Sequence, residues 1–520
     1  MSASTERKNR QAAREAGTDK KTLAEQAEAK KKAKSKTRWT LGTIGVILLI
    51  AVILFLNSSA LFSITTALTI GGEKYSPAQV NYYYSNQYYS WVNNYGSYAS
   101  MFGLDTSSGV SGLDSQTCPM LEDGTWKDYF LQSATQELTQ TRALLDYAAD
   151  NGITLTDEEI ASVDSGFDGI EEYAKSAGYS SVNKFFAANY GSGVTQAVVR
   201  QGGLDSALAS KVYSQISDET SAAYTTAELS DYYDSLNGES DVFDYAYYYV
   251  AAETVETTAE DGTASTATTD ETVAAAKATA DAIAAAYKAE TGEDATENLN
   301  AAVAASVADA TASSQSGVSG SSVSSAYKDW LMGSRSAGDV TVAENTDSSG
   351  YYVVVFLSRS DNHYNMAKVR HILIKAVASD DGTYTDEAKA EAKAKAEEIY
   401  AEWKSGDKTE DSFAALAEEY SEDTGSNTKG GLYDSVYKGQ TVEAFDEFCF
   451  AGHKYGDTDI VYGETSGYAG YHIMFYVGEG GLYSNYIAKN AMLSTDMEEW
   501  LTALTEGYEA KTGFGYRLVG

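Results

Sequence analysis

Hydrophobic and polar positions divide the chain into segments of different period. Residues 39–56, WTLGTIGVILLIAVILFL, are 18 residues without a charge, about the minimum that crosses a hydrocarbon core of roughly 30 Å as a helix. Residues 70–236 carry apolar side chains at helical spacing, as in LTQTRALLDYAADNGI, together with many tyrosines. Residues 366–480 mix alternating, strand-like stretches with helical ones, and residues 485–520 have the pattern of one closing amphipathic helix.

Residues 241–360 repeat residues 366–480 piece by piece. The strand YAYYYVAA parallels VRHILIKA, the helix TDETVAAAK parallels TDEAKAEAK, AYKDWLMG parallels AFDEFCFA, and GYYVVVFL parallels GYHIMFYV. The offsets between copies are 124, 116, 118 and 120 residues, so the order is kept while loop lengths vary. Chance similarity of Ala-rich helices is the alternative. The Ala-, Thr- and Ser-rich residues 251–325 therefore form part of a folded copy in this interpretation, although their composition is that of a linker.

One difference between the two copies concerns a pair of histidines. His371 and His472 of the second copy correspond to Tyr247 and Tyr352 of the first. The strands that carry them are the first and last of the unit, and the two-residue period of a strand allows both side chains to face one site. A histidine on a half-buried strand is more often a core residue, but the joint loss of both in the sister copy favours a shared site.

Charge is distributed unevenly. Residues 1–38 carry 12 Lys/Arg against 5 Asp/Glu, whereas the part after residue 56 has a net charge of −44. The positive-inside rule then predicts a cytoplasmic N-terminus and an extracytoplasmic bulk; a signal peptide cleaved near SSA, residues 58–60, is the alternative. The strong negative charge argues against nucleic acid as a partner. Cys118 and Cys449 are the two cysteines, and no Cys/His spacing predicts a disulfide framework or a zinc site.

The second copy resembles the parvulin-type peptidyl-prolyl cis/trans isomerases. The resemblance rests on VRHILIKA, on FAALAEEYSEDTGSNTKGGLYDSVYKGQTVEAFDEFCF and on GETSGYAGYHIMFYV, within about 115 residues. The whole arrangement, with an N-terminal helical region, two such units and a final helix, is similar to the extracytoplasmic foldases of the PrsA/SurA type. That similarity implies an α+β protein with a single transmembrane helix, a helical chaperone-like domain and two parvulin-like domains, each an antiparallel sheet with surrounding helices.

The resemblance also implies site residues. Those mapped onto the polar core of the family site are His371, Asp423 and His472. Those mapped onto its apolar proline pocket are Leu432, Val442 (with Thr441 as the alternative) and Phe445. The resemblance implies neither a metal nor another cofactor.

Departures from the family pattern affect this mapping. The element Gly-Gly-Asp-Leu-Gly is GGLY at residues 430–433, which leaves the path of the loop open. A hydroxyl residue often precedes the second histidine by three positions; here that position is Ala469, and Ser466 is a candidate replacement. Asp309 holds the place of Asp423 in the first copy, so an acid there is equally consistent with a solvated surface residue.

The expected domains follow in chain order. They are a basic cytoplasmic tail (1–38), a transmembrane helix (39–56), a helical chaperone-like domain (70–236), a degenerate parvulin-like domain (241–360), a parvulin isomerase domain (366–480) and a C-terminal helix that packs on the helical domain (485–520). The first copy, with tyrosines in both histidine positions, is predicted to keep the fold and lose catalysis. The tyrosines of YYYSNQYYSW either present an aromatic face to unfolded chains or pack the helical core.

Three functions are consistent with these features. The first is a membrane-anchored prolyl isomerase and chaperone that acts on exported, unfolded polypeptides containing X-Pro bonds. The second is a holdase in which both parvulin-like units only bind peptide. The third is a structural or adhesive surface protein that reuses the modules. Turnover of X-Pro bonds distinguishes the first from the other two.

Overall fold

The structure, a computed structural model, describes most of the chain after residue 59. The described residues are 3–16, 24, 27–28, 30–32, 43–44, 46–49, 60–258, 264–379 and 381–520. Most of the predicted apolar span 39–56 and much of the predicted basic tail 1–38 therefore lie outside the described residues. Within the described ranges, no helix combines the length and the apolar character needed to cross a membrane.

The chain divides into two compact units, residues 1–219 with 497–520, and residues 220–496. The first unit is mainly helical. Its helices are α1 (Ala3–Glu15), α2 (Ala60–Ile64), α3 (Pro77–Tyr95), α4 (Trp126–Asn151), α5 (Asp157–Ser165), α6 (Ile170–Ser176), α7 (Val182–Tyr190) and most of α8 (Gln196–Ala223). Strands β1 (Leu68–Ile70) and β2 (Glu73–Tyr75) form an antiparallel sheet with a strand near the C-terminus, Lys511–Thr512.

Helix α3 carries the tyrosine-rich stretch. It begins after Ser76, whose hydroxyl accepts from the backbone of Gln79 while the Gln79 side chain accepts from the backbone N–H of Ser76, a capping box. Its buried aromatic residues are Tyr83, Tyr84, Tyr88 and Trp91. The ring of Trp91 lies 5.1 Å from that of Trp126 on α4, between centroids. The interpretation that these rings pack the core is confirmed, and the exposed aromatic face is wrong for them.

The C-terminal segment differs from the single helix expected over 485–520. The helix ends at Thr505, and Gly507, at φ +88°, follows in the left-handed region that commonly terminates helices. The chain then continues to Lys511–Thr512, where Thr512 pairs with Leu68 of β1. Trp500 packs on Tyr147 of α4, with ring centroids 5.6 Å apart. The helical character expected for residues 70–236 is likewise interrupted at its start, where β1 and β2 form the hairpin.

The second unit contains two four-stranded antiparallel sheets. The strands of the first are β3 (Val242–Ala251), β6 (Ser313–Ser319), β7 (Val340–Glu344) and β8 (Gly350–Ser360), in the order β6–β3–β8–β7. Strands β4 (Val255–Thr258) and β5 (Ala264–Ala267) form a separate hairpin. The strands of the second sheet are β9 (Asn365–Lys375), β10 (Leu432–Val436), β11 (Thr458–Glu464) and β12 (Ala469–Leu482), in the order β10–β9–β12–β11. The two sheets thus have the same topology.

Helices cover both sheets in the same manner. The helices of the unit are α9 (Thr226–Ser235), α10 (Asp270–Tyr287), α11 (Ala295–Ser306), α12 (Lys328–Met332), α13 (Asp386–Ser405), α14 (Glu410–Tyr420), α15 (Glu443–Phe450) and α16 (Tyr483–Thr505), the last up to Asp496. Helices α10 and α11 pack on one face of the first sheet, and α13 and α14 pack on the equivalent face of the second. The short helices α12 and α15 cover the opposite faces.

Strand alternation separates the two faces of the second sheet. Ile372 and Phe475 face α13 and α14, in a cluster with Trp403 and Phe413. Val369 and Met474 face α15. Met474 lies directly opposite His371, so the histidine side chain is on the α15 face.

Substitution of Phe413 tests the packing of α14 on the second sheet. It is fully buried, with its ring centroid 5.4 Å from that of Phe475. Phe413→Ala is expected to lower the local stability by about 3–5 kcal/mol, because it leaves a cavity between helix and sheet. Phe413→Leu, which keeps most of the volume, is expected to cost about 1–1.5 kcal/mol. Hydrogen exchange of β9 and β12 amides measures both; equal losses in the two variants would contradict the packing.

Candidate active site

Two histidines meet on the α15 face of the second sheet. His371 lies on β9 and His472 on the neighbouring strand β12, where Leu373 is opposite His472. The two residues are 3% and 4% exposed, and Nδ1 of one ring lies 3.1 Å from Nδ1 of the other. The histidines predicted to share a site are therefore in direct contact.

The loop after α14 brings a carboxylate to this pair. The backbone N–H of Leu373 donates to the hydroxyl of Ser421 (3.1 Å), and the N–H of Glu422 donates to the carbonyl of Leu373 (2.9 Å). These bonds fix the loop to β9, and they place Oδ2 of Asp423 at 2.9 Å from Nε2 of His371. The three residues mapped onto the polar core thus form one hydrogen-bonded set.

Further donors converge on Asp423. Oδ2 accepts from the hydroxyls of Ser426 (2.5 Å) and Tyr433 (3.1 Å), and Oδ1 accepts from the N–H of Gly425 (3.2 Å). The hydrogen bond from His371, with that from Ser426, holds the pKa of this carboxyl well below its usual range. Burial raises the pKa of Tyr433 to about 12, so the phenol remains a donor. Asp423 is therefore an ionised acceptor at neutral pH.

The far side of His472 also has a partner. The hydroxyl of Tyr468 lies 3.1 Å from Nε2 of His472. The hydroxyl missing at Ala469 is thus supplied one residue earlier, while the candidate Ser466 is exposed. Burial lowers the pKa of His472 to about 3, and repulsion from His371 acts in the same direction. His472 is therefore neutral at physiological pH.

The histidines form the floor of an open cleft of about 920 Å³. The side chains that line it are His371, Leu373, Lys375, Asp423, Tyr433, Gln440, Thr441, Val442, Glu443, Phe445, Glu464, Thr465, Tyr468 and His472, with Gly467. The ring of Phe445, on α15, lies 5.3 Å from each histidine ring, between centroids. Both alternatives for the second pocket position, Val442 and Thr441, reach the cleft. The walls above this buried polar floor are therefore mixed, with Leu373, Val442 and Phe445 as their aliphatic and phenylalanine side chains.

Leu432, predicted to line the pocket, does not belong to it. Leu432 is paired with Arg370 on β9, and Tyr433 is paired with Val369, which shares the face of His371. Because successive strand residues point to opposite faces, Leu432 is on the side away from the histidines. Its place is taken by Tyr433, whose ring centroid lies 5.2 Å from that of His371.

The glycine pair before β10 is required by close backbone approach. Gly430 and Gly431 have φ values of +63° and +71°. The N–H of His371 donates to the carbonyl of Gly431 (2.9 Å), and a Cβ on Gly431 would lie 2.2 Å from the carbonyl oxygen of His371. The loop whose path the sequence left open therefore runs against the backbone of His371.

Family comparison agrees with this geometry. Residues 351–475 match the family model of the PPIC-type PPIase domain. The chain contains a parvulin-type isomerase domain. The match begins on β8 and ends within β12 at Phe475, so it includes both histidines and Asp423. A search of curated proteins finds no matching relative.

Several solved structures resemble parts of the chain. Peptidylprolyl isomerase PrsA from Bacillus cereus is 24% identical over 28% of this chain and 49% of its own, with a TM-score of 0.18. PrsA from Bacillus subtilis is 14% identical over 76% and 94% of the two chains, with a TM-score of 0.28. Foldase protein PrsA from Streptococcus pneumoniae str. Canada MDR_19A is 13% identical over 72% and 79%, with a TM-score of 0.19. The chain spans about half of the Bacillus cereus protein, and at these TM-scores the fold argument rests on the strand topology alone.

The first sheet has tyrosines at the positions that the two histidines occupy in the second sheet. Tyr247 is opposite Val354 and Tyr249 is opposite Tyr352, pairs equivalent to His371 with Met474 and Leu373 with His472. The ring of Tyr352 lies 6.0 Å from that of Tyr247 and 4.7 Å from that of Tyr249, between centroids. Asp309, in the place of Asp423, is exposed. An aromatic cluster thus replaces the histidine pair.

Sequence reasoning missed three residues of the isomerase domain's site, Ser426, Tyr433 and Tyr468. Ser426 follows Asp423 by three positions, the spacing of a local side-chain hydrogen bond, and this signal was available. Tyr433 adjoins the predicted Leu432, and only the register of β10 on β9 distinguishes them. For Tyr468 the sequence held no signal, because its hydroxyl reaches His472 through the turn between β11 and β12. Cys449 is a buried core residue, as expected, and burial raises the pKa of its thiol to about 12.

Gly431→Ala tests the contact of the glycine loop with β9. The matched control is Gly439→Ala, because Gly439 also has a positive φ (+81°) but no atom within 4 Å of an added Cβ. Backbone strain is expected to cost about 1–2 kcal/mol in both variants. The clash with the carbonyl of His371 is expected to add about 2 kcal/mol in Gly431→Ala only. Urea unfolding followed by circular dichroism gives the difference; indistinguishable variants would show that the loop is not held against β9.

The lowered pKa of His472 predicts how stability depends on pH. Below pH 6.5, His472 becomes protonated in the unfolded chain but stays unprotonated in the folded protein. The free energy of unfolding therefore falls as the pH falls towards about 3. By pH 5 this loss is expected to reach about 2 kcal/mol relative to pH 8. His472→Gln should lack this contribution. The measurement is urea unfolding of both proteins between pH 5 and 8, and parallel pH profiles would exclude a buried neutral His472.

Proposed function

We propose that this chain is a peptidyl-prolyl cis/trans isomerase that assists the folding of polypeptides outside the cytoplasmic membrane. The observation that supports this most is the hydrogen-bonded set of His371, His472 and Asp423 on the floor of a cleft that Phe445 and Val442 also line. The PPIC-type domain match over the same residues supports the reaction class.

The reaction needs little covalent chemistry. An X-Pro bond isomerises unaided over tens to hundreds of seconds, because partial double-bond character imposes a barrier of about 18–20 kcal/mol. An enzyme must bind the proline ring and stabilise the twisted amide more than either planar form. A barrier lowered by about 5–7 kcal/mol accelerates the reaction roughly 10⁴–10⁵-fold.

The cleft offers both requirements. Phe445 and Val442 supply an apolar surface against which a pyrrolidine ring can pack, and Tyr433 and Tyr468 line the cleft beside the histidines. The neutral His472 and the His371–Asp423 pair are the polar groups that face the bound peptide bond and stabilise its twisted form. Because the carboxylate is ionised and already accepts four hydrogen bonds, it orients the rings and does not act as a nucleophile.

Location and clients belong to the same proposal. The uncharged residues 39–56 and the basic residues 1–38 favour a single membrane anchor with a cytoplasmic N-terminus. The clients are exported polypeptides that are still unfolded and contain X-Pro bonds. The cleft is open, which suits an extended chain segment.

A chaperone activity independent of catalysis is a second candidate. The first unit has an open groove of about 560 Å³ on helices α3 and α5–α8. Its aromatic and large aliphatic side chains are Tyr82, Tyr89, Phe167, Ile170, Phe185, Phe186 and Tyr190. Such a groove could hold apolar segments of an unfolded chain without any histidine, which is the holdase function.

The decisive experiment is a protease-coupled isomerisation assay on an X-Pro tetrapeptide with the whole protein. Wild type is expected to accelerate isomerisation, and His371→Ala/His472→Ala is expected to lose at least about 10²-fold in kcat/KM, because the polar floor is removed. The remaining two histidines provide the matched control, His363→Ala/His453→Ala, which lie outside the cleft. This control should retain wild-type activity.

The same variants separate the two functions. Suppression of aggregation of a proline-free unfolded client should persist in His371→Ala/His472→Ala if the groove of the first unit binds chains independently. Absence of acceleration by folded wild type, together with intact suppression of aggregation, would reject the isomerase and leave the holdase. Wild-type acceleration in the double variant would instead show that the histidine pair is not required for isomerisation.

A further inference from the structure

The backbone of the turn before β12 directs the side chain of Tyr468 to the histidine pair. It ends the four-residue turn between β11 and β12, where Thr465 donates its N–H to the carbonyl of Tyr468 (2.8 Å) and the N–H of Tyr468 points to the hydroxyl of Thr465 (3.3 Å). The turn is further tied by the hydroxyl of Tyr384, which donates to the carbonyl of Gly467 (3.0 Å). The phenol is thereby directed to Nε2 of His472 from a fixed backbone.

The backbone of β11 leaves room for this contact. A Cβ added to Gly463 would lie 3.1 Å from the hydroxyl of Tyr468, 3.2 Å from Nε2 of His472 and 2.6 Å from a methyl carbon of Val442. Any larger residue would crowd the point where the two polar atoms meet. Gly463 and Tyr468 are thus two independent features that serve the same hydrogen bond.

Hydrogen-bond directions follow from the carboxylate. Asp423 is ionised and can only accept, so Nε2 of His371 carries the hydrogen of that bond. If Nδ1 of His371 is the acceptor of the bond between the rings, Nδ1 of His472 donates to it. Nε2 of a neutral His472 is left without hydrogen, and Tyr468 is the group that donates to it. The bonds run in one direction, from Tyr468 through both rings to Asp423.

We propose that Tyr468 is a positioning residue that holds His472 in the form with hydrogen on Nδ1, and so keeps the histidine pair in one protonation pattern. The proposal rests on the proposed isomerase function for its consequence in catalysis. Without the phenol, the more usual form of a neutral histidine, with hydrogen on Nε2, would set two unprotonated Nδ1 atoms 3.1 Å apart. The rings would then move apart, or His472 would exchange between the forms with hydrogen on Nδ1 and on Nε2. The peptide bond would then face a mixture of hydrogen-bond donors and acceptors and not one fixed pattern.

The test uses the whole protein labelled with ¹⁵N in the histidine rings. With four histidines in the sequence, each ring can be assigned by substituting one residue at a time. Wild type at pH 7.5 is expected to show His472 with hydrogen on Nδ1 only. Tyr468→Phe is expected to show hydrogen mainly on Nε2, or a mixture of both forms, and a kcat/KM about fivefold to tenfold lower, the loss of one hydrogen bond. The fall should be in kcat more than in KM.

Two further variants serve as a control and as an independent test of the same hydrogen bond. Tyr471→Phe removes a phenol from β12 next to His472, but on the face towards α13, and should leave both the ring spectrum and kcat/KM as in wild type. Gly463→Ala leaves the phenol in place and crowds its bond to His472, so it should shift the ring spectrum in the same direction as Tyr468→Phe. A folding defect would alter the circular dichroism of the variants, whereas loss of positioning would not.

The outcomes are distinguishable. The proposal is overturned if Tyr468→Phe keeps hydrogen on Nδ1 of His472 and a kcat/KM within twofold of wild type, or if wild type carries hydrogen on Nε2. A wild type without isomerase activity but with the expected ring spectra would overturn the proposed function and support the positioning of His472 by Tyr468.

Discussion

The hydrogen bond between His371 and His472 determines which partners the outer nitrogen atoms of the two rings require. Two buried imidazoles form a hydrogen bond of 3.1 Å between their Nδ1 atoms only if one atom carries hydrogen and the other does not. The outer nitrogen of each ring must then meet a partner of the opposite kind, since an unpaired buried polar atom costs roughly 1–3 kcal/mol. Asp423 meets this demand on one side as an ionised acceptor, and Tyr468 meets it on the other as a donor.

The fold supplies these partners from segments far apart in the chain. Adjacent antiparallel strands β9 and β12 bring the rings together, and a loop hydrogen-bonded to β9 carries Asp423. The first sheet of the same unit has the same strand order but presents tyrosines 247 and 352 at the equivalent places. One backbone arrangement therefore accommodates a polar pair or an aromatic cluster, because the sheet is held by its hydrogen bonds and by the helices on its other face.

Much of this could be predicted from the sequence. Helices α10 and α13 both begin after a threonine followed by Asp-Glu, and their caps form at Thr269 and Thr385, because a hydroxyl cap and early acids are local signals. The strands that carry the histidines follow from alternation. Prediction failed where distant contacts decide the outcome: residues 511–512 become a strand by pairing with β1, and the pocket contains Tyr433 rather than Leu432 because β10 pairs with β9 in one register. A one-residue difference of this kind exchanges the two faces of a strand.

The sequence by itself determined the repeat, the pair of histidines that distinguishes its second copy and the parvulin-type character of that copy, since these depend on residue identity and on local periodicity. Only the tertiary structure decided which polar groups complete the site. The hydroxyls of Tyr468, Tyr433 and Ser426 reach their acceptors through a turn, a strand register and a loop. Hydrogen bonds act over about 3 Å, so their partners are set by positions in space that no spacing along the chain records.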